Sequence, residues 1–446
     1  MIRLAQSLGQ RSADERVWRG RTGWRSAGAI RAKVAELRQS IDAPRVALAF
    51  ADDEALAIGL LAVEGYCEAA LLVPASWDQA MLDRYWARSG AMLLVTDRLD
   101  LSGERTLRKV EPAVAAGAPR RADRETLWII PTSGTTGEPK LVEHGLASLA
   151  RTVKGDTEKG RKLTWGLIYE LARFAGVQVF LQAMMGGSRL VFTSRTVGVD
   201  GLVAELIGGG CNAVSATPTL WRLLMMAESA GRLPLRLVTL GGEIAEQSIL
   251  SLLTTRFPTA KVIHIYASTE AGVGFSVNDG LAGFPTALLS EPPRGVVLRV
   301  DETGVLWLRP SDARQRFLGE DRSLVETDGW INSGDQVRVV GERCFFLGRS
   351  NGAINVGGNK VFPEEIEICI RAVEGVVLAG VRARANPIVG SVVEAFVKPH
   401  PAMDRDLLRK AIVSSCRASL APYKVPALVT WVDDLAVNTT GKLVRS

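Results

Sequence analysis

The 446-residue chain is 47% hydrophobic and 23% charged; that excludes a disordered chain, and the length exceeds what one compact core fills, so two or three domains are expected. Its net charge of +6 comes from arginines spread along the whole chain, without the basic stripe or tail of a nucleic-acid binder; attraction to an acidic partner or an anionic ligand stays open. Five cysteines (Cys67, Cys211, Cys344, Cys369 and Cys416) are scattered and form no CxxC, which argues against a disulfide framework or structural zinc and fits a reducing cytoplasm.

The arginine-rich start, MIRLAQSLGQRSADERVWRGRTGWRS, has no apolar secretory core. Such a composition also suits an organelle transit peptide; a surface arm is the simpler expectation. Apolar stretches such as IGLLAV are too short to cross a bilayer, so no membrane span is expected. RVALAFA then reads as a buried strand and DDEALAIGLLAVEGY as a helix capped by Asp52 or Asp53. EAALLVPA is a second strand, SWDQAMLDRYWARSG a second helix with Ser76 as its N-cap, and AMLLVTD a third strand. Short continuous apolar strands separated by amphipathic helices predict parallel βαβ units.

The same rhythm resumes after residue 140. GVQVFLQAMMGG reads as a helix ending at glycine, SRLVFT as a strand, VDGLVAELIGGG as a helix and NAVSATPT as a strand entering a loop. LRLVTLGGE and AKVIHIYASTE are strands that run straight into polar turns. Ligands in open α/β sheets sit at the C-terminal ends of strands. The loops after TLWII, LVTL and VIHIY are therefore the candidate site loops. From about Gly295 hairpins take over, with turns at 302–304 and 341–342. Beyond Arg349 a compact α+β unit of roughly a hundred residues follows, a reasonable domain size.

The loop after TLWII, PTSGTTGEPK (131–140), places Thr132, Ser133, Thr135 and Thr136 around Gly134 and Gly137, ahead of Lys140. Glycines let backbone N–H groups turn toward an anion. Hydroxyls and one cation suit a polyphosphate. The GK[ST] core of a P-loop is absent, which weighs against a P-loop ATPase or kinase. Asp335, after Ser333 and Gly334, is a turn carboxylate able to accept from a vicinal diol. Glu270 ends a strand, and Mg²⁺ favours one carboxylate plus phosphate oxygens.

In this order the motifs resemble those of the AMP-forming adenylating enzymes, the superfamily of acyl-CoA synthetases, peptide-synthetase adenylation domains and luciferases. The chain is most like a short acyl- or aryl-acid:thiol ligase. PTSGTTGEPK resembles the family's phosphate loop. LGGE (Leu240, Gly241, Gly242, Glu243) resembles the loop beside adenine and acyl group. YASTE resembles the adenine-binding element, in which Tyr266 packs on adenine, Ala267 and Ser268 follow, Thr269 touches phosphate and Glu270 holds Mg²⁺. GWINSGDQ resembles the segment whose aspartate, here Asp335, takes the ribose hydroxyls. GRSNGAINVGGNKVFPEEIE resembles the hinge, with Arg349 among the nucleotide ligands and Asn351 at the pivot. NTTGK resembles the terminal loop with the catalytic lysine, here Lys442, acting with Thr269 and Glu270.

The resemblance implies an α/β fold with two domains. A large N-terminal domain (1–348), of parallel-rich βαβ sheets plus a small β-barrel-like part, would hold nucleotide and acyl pocket. A small mobile α+β lid (349–446) would follow. Leu141 stands where the family commonly has glycine, and the hinge has Asn351 and Gly352 where it has two aspartates. In YELARFAGVQVF the position that pairs with the ammonium of α-amino acids is occupied near Phe174. A buried ammonium without a carboxylate is costly, so an α-amino acid substrate is not expected. Phe174, Ala175, Gly176, Val214, Ala216, Thr217, Gly241 and Gly242 line the expected pocket, which suits an aromatic or short to medium aliphatic acid.

The expected reaction is ATP-dependent formation of acyl-AMP with release of pyrophosphate, then transfer to a thiol. That thiol is CoA by default, or the phosphopantetheine of an acidic carrier protein. A catalytically idle nucleotide-binding homologue is the alternative outside enzymes.

Overall fold

The computed structural model describes residues 4–103, 106–108, 125–132, 138–153, 155–293, 295–311, 316–319, 323–326, 328–386, 390–438 and 441–444. Five of the expected phosphate-loop residues, Ser133, Gly134, Thr135, Thr136 and Gly137, lie outside them.

Two parallel-rich sheets make up the body. The first runs, edge to edge, Gly272–Val277, Lys261–Ser268, Leu237–Gly241, Ala213–Ala216, Thr164–Leu167, Arg189–Phe192, Arg16–Gly20 and Gly23–Ser26. It is parallel except for its outermost pair at each end. The second runs Arg316–Leu318, Leu141–Gly145, Leu127–Pro131, Ala69–Leu72, Arg45–Ala49, Leu93–Thr96 and Thr106–Arg108. Its first two pairings are antiparallel and the others parallel. Strands such as Ala69–Leu72 and Leu93–Thr96 are buried at every position, because helices cover both faces; hence their unbroken apolar runs. One apolar core joins the two sheets, taking Leu48 and Trp128 from the second, Trp165 and Leu167 from the first, and the helices Ala27–Ser40, Asp53–Val63 and Phe174–Met185.

The N-terminus is no surface arm. Arg16–Gly20 is a strand of the first sheet, paired in parallel with Arg189–Phe192 in the register Trp18↔Leu190. Leu4, Leu8, Val17 and Trp18 are buried in the shared core. The arginines that suggest a solvated arm are used internally. Arg11 donates to the carbonyls of Ala183 and Ser188, and Arg25 pairs with Glu54. The helix expected to start at Ser76 is Gln79–Ser89, capped by Asp78, whose carboxylate accepts from Met81 N. A carboxylate competes well for a cap, and Trp77 just before it stacks on Tyr85 at 4.7 Å, fixing the chain's entry. The preceding helix is capped by Asp52 and ends at Val63, short of Tyr66.

A five-stranded antiparallel sheet follows, in the order Phe284–Pro285, Arg343–Arg349, Ile331–Val340, Val305–Pro310 and Val296–Val300. Residues from 354 onward then form their own apolar core. The helices Pro363–Arg371 and Arg405–Ser419 pack on the three-stranded sheet Val376–Asn386, Gly390–Pro399 and Leu428–Trp431. No helix among the described residues is long and apolar enough to cross a membrane.

Candidate active site

The site forms where Ala213–Ala216, Leu237–Gly241 and Lys261–Ser268 end side by side, in the register Ala216↔Leu240↔His264. Each strand gives way to a polar turn. Thr217 caps the helix Pro218–Met226, accepting from Leu220 N at 3.0 Å, with Pro218 in the first turn. The strand NAVSATPT thus enters a helix directly. Gly242 has φ +82°, a left-handed conformation that favours glycine.

Lys442 reaches these strand ends from the far end of the chain. A Cβ at Gly242 would stand 3.0 Å from its Cε and 3.6 Å from its Nζ. Two contacts hold the lysine loop to the body. Thr217 Oγ1 donates to Gly441 O, and Leu443 N donates to Glu243 Oε1 at 3.0 Å, across 200 positions of sequence. The other oxygen of Glu243 accepts from Thr219 N at 2.9 Å. One carboxylate thus ties the start of a body helix to the C-terminal loop. Desolvation first, and Arg349 next, push the Lys442 ammonium below its ordinary pKa, while Glu243, Glu270 and Asp335 pull it upward. Three acids and one arginine thus act on the lysine's charge.

Asp335 and Arg349 are cross-strand partners in the antiparallel sheet and form an ion pair at 3.3 Å. The second Asp335 oxygen accepts from Tyr266 Oη at 2.6 Å. Burial and then Asp335 raise the Tyr266 pKa well above its ordinary value, so the hydroxyl remains a donor. The Tyr266 ring is stacked against Phe275 at 5.2 Å and Phe346 at 5.0 Å. The adenine expected beside Tyr266 would have to use the part of the ring these two leave free. Ser268 Oγ accepts from Ala271 N and tightens the turn through Thr269 and Glu270.

The base of the 131–140 loop, expected to hold phosphates, is a narrow neck. Thr132 N donates to Lys140 O at 2.8 Å, and Lys140 N to Thr132 Oγ1 at 2.9 Å. The Lys140 ammonium lies over the Phe317 ring at 4.7 Å. Arg173, buried and paired with Glu170, donates to Thr132 O at 3.1 Å. That bond ties the neck to the start of the helix that opens with Phe174.

The expected acyl residues separate into two groups. Phe174 is buried, with its ring 5.7 Å from that of His144, and Ala175 beside it is half-buried. A Cβ on Gly176 would stand 2.2 Å from Glu170 O, so this glycine lets the helix pack on the 170–171 turn. Val214 and Ala216 point into the core beneath the helices Pro218–Met226 and Gln247–Arg256. Strand alternation gives the opposite face to Ser215, the least buried residue of the strand. Gly241 is half-buried and Gly242 exposed. Asn351 is exposed in the short turn Ser350–Gly352. Among the described residues no group of three or more His, Cys, Asp or Glu side chains gathers as a metal cage. Glu270, a single half-buried carboxylate, fits a Mg²⁺ carried in on phosphates.

His144, Arg173, Ser215 and the bridging role of Glu243 were not expected from the sequence. His144 alone carries a visible signal, as one of three histidines in the chain and four residues beyond Lys140. Its Nε2 lies 2.7 Å from Thr269 O, linking the strand Leu141–Gly145 to the YASTE turn.

The chain belongs to the AMP-binding enzyme family. The family's main profile matches residues 50–311, and that of the AMP-binding enzyme C-terminal domain matches residues 365–442. A 2-succinylbenzoate–CoA ligase of Listeria innocua is 25% identical over 72% of this chain and 69% of its own length. A D-alanine–D-alanyl carrier protein ligase of Staphylococcus aureus is 25% identical over 72% of this chain and 70% of its own. Among solved structures, a benzoate CoA ligase from Burkholderia xenovorans LB400 superposes with a TM-score of 0.80 at 18% identity, covering 99% of each chain. The o-succinylbenzoate CoA synthetase of Bacillus subtilis, in complex with its acyl-adenylate intermediate, superposes with a TM-score of 0.77 at 17% identity, over 100% of this chain and 97% of the other.

Proposed function

We propose that the protein is an AMP-forming acid–thiol ligase built from a body, residues 1–348, and a lid, residues 349–446. One observation carries the reading: Lys442 is docked on the body's strand ends, beside Gly242, through Gly441 on Thr217 and Leu443 on Glu243. In the first half-reaction a carboxylate attacks the α-phosphorus of ATP and pyrophosphate leaves. Lys442 steadies the negative charge that builds between carboxylate and α-phosphate. Thr132, Lys140 and the hydroxyl loop between them hold the outer phosphates, Asp335 takes the ribose, and Glu270 is the residue for Mg²⁺. Catalysis of this kind rests on positioning and preorganised charge.

The acid is aromatic or short to medium aliphatic. Buried Phe174 supports this, because it offers no carboxylate to an α-ammonium. In the second half-reaction the lid turns about Asn351 and a thiol takes the acyl group. CoA is the default thiol, supported by the aryl-CoA ligases among the relatives. The net charge of +6 and the D-alanyl carrier protein ligases favour an acidic carrier protein as the second reading. A cytoplasmic site of action suits five free cysteines.

The test is a panel of benzoate, 2-succinylbenzoate, hexanoate and alanine with ATP and Mg²⁺, each supplied with CoA or a phosphopantetheinylated carrier protein. Release of AMP and pyrophosphate with benzoates or hexanoate, and acylation of one thiol, is the expected result. ADP as product, or no turnover with any acid, contradicts it.

A further inference from the structure

A second joint between lid and body is made of charge. On the body side, Arg222 of the helix Pro218–Met226 donates to Glu246 Oε1 at 2.5 Å and to Ser248 Oγ at 2.7 Å. On the lid side, Arg371 at the end of Pro363–Arg371 donates to the same Glu246 oxygen at 3.0 Å. Arg371 also pairs with Glu367 at 3.5 Å and donates to Ala379 O at 3.3 Å. Glu367 in turn accepts from Val381 N at 3.0 Å. Arg222, Glu246 and Glu367 are buried and Arg371 is nearly so, at 9%, 3%, 0% and 12% exposure respectively.

The charges alternate along the row: plus on Arg222, minus on Glu246, plus on Arg371, minus on Glu367. The division between body and lid falls between the second and third. Separation there leaves two pairs, Arg222 with Glu246 and Arg371 with Glu367, each within one unit. A buried charge stranded without a partner would oppose any such movement; this row strands none.

We propose that Arg371 and Glu246 are positioning residues whose ion pair latches the lid in the orientation that seats Lys442, and releases it as two neutral halves. The latch rests on the adenylation-then-thioester reading given above. It assigns the pair to the first half-reaction alone. Thr217 and Glu243 grip the lysine loop itself; Glu246, through Arg371, grips the lid's first helix, so the two joints together fix the lid's rotation.

The variants are Arg371→Gln, which leaves Arg222 and Glu246 paired, Arg371→Lys as the restoring change, and Glu246→Gln from the body side. Hydrogen exchange at the Leu443 amide, with and without ATP, needs no knowledge of the acid. It is expected to quicken at least tenfold in Arg371→Gln and to slow again in Arg371→Lys. The strands Val376–Asn386 and Gly390–Pro399 should exchange as in the wild type, which reports an intact lid. With an acid the wild type accepts, pyrophosphate release should fall at least tenfold while thioester formation from synthetic acyl-AMP stays within twofold. Wild-type exchange at Leu443 in both Arg371→Gln and Glu246→Gln overturns the latch, as does an equal fall in both half-reactions. Should Arg371→Gln lose the lid's own protection, Glu246→Gln decides. If the wild type activates no acid, the functional reading fails, and the exchange result still judges the latch.

Discussion

Between Leu141–Gly145 and the YASTE turn, His144 is buried with Nε2 2.7 Å from Thr269 O, and desolvation pushes its pKa down to about 4. At neutral pH the ring is therefore neutral, with the Nε2 proton donated to that carbonyl. The unfolded chain, with an ordinary value near 6.5, takes up the proton first as pH falls. The neutral ring's contribution is thus complete above about pH 6.5 and is lost toward pH 4, up to about 3 kcal/mol. We expect the urea midpoint of the wild type to fall between pH 7 and 5, and His144→Gln to flatten that fall; an unchanged pH slope would remove His144 as its cause. Asp335 poses a different question, because its oxygens already accept from Tyr266 and Arg349. A carboxylate oxygen can accept more than one bond, so a ribose diol can join these donors. Charged hydrogen bonds are worth about 1.5–3 kcal/mol, so Asp335→Ala should weaken ATP binding at least tenfold by calorimetry. Unaltered affinity would take the ribose away from Asp335.

At the scale of elements, the helix Phe174–Met185 carries a sharp steric demand. A methyl at Gly176 would press on Glu170 O, in the turn where Arg173 and Glu170 pair and reach Thr132. Overpacking of this kind costs about 1–3 kcal/mol. Gly176→Ala should lower the melting temperature and raise KM for the acid; a variant with wild-type melting and KM would show that the turn yields freely. The alternation of short apolar strands with amphipathic helices was legible as parallel βαβ units because those strands are covered on both faces. The strand Arg16–Gly20 was not legible. Its alternation, from exposed Arg16 to buried Gly20, is hidden among flanking arginines such as Arg11 and Arg25, which find internal partners only after folding. Val214, Ser215 and Ala216 show a related limit. A strand entering a site is recognisable from its sequence, but which alternate residue faces the ligand depends on what packs beneath it. Here the helices Pro218–Met226 and Gln247–Arg256 claim Val214 and Ala216.

For the whole molecule, the order of motifs carried more than any single one. Glu243, Tyr266, Asp335, Arg349 and Lys442 are separated by up to about two hundred positions, yet Lys442 senses three of these four together with Glu270. The joints that hold this arrangement, Glu243 to Leu443 and Glu246 to Arg371, could not be read in advance. Each pairs residues far apart, and their partners are settled only by how the C-terminal unit docks. The measurement that bears most directly on the account is acid-dependent exchange of labelled pyrophosphate into ATP, comparing wild type with Lys442→Ala, alongside ATP binding to both. Loss of one preorganised charge donor costs about 10²–10³ in rate. The account predicts a fall of at least that size in Lys442→Ala with ATP still bound; exchange at the wild-type rate in that variant would contradict it.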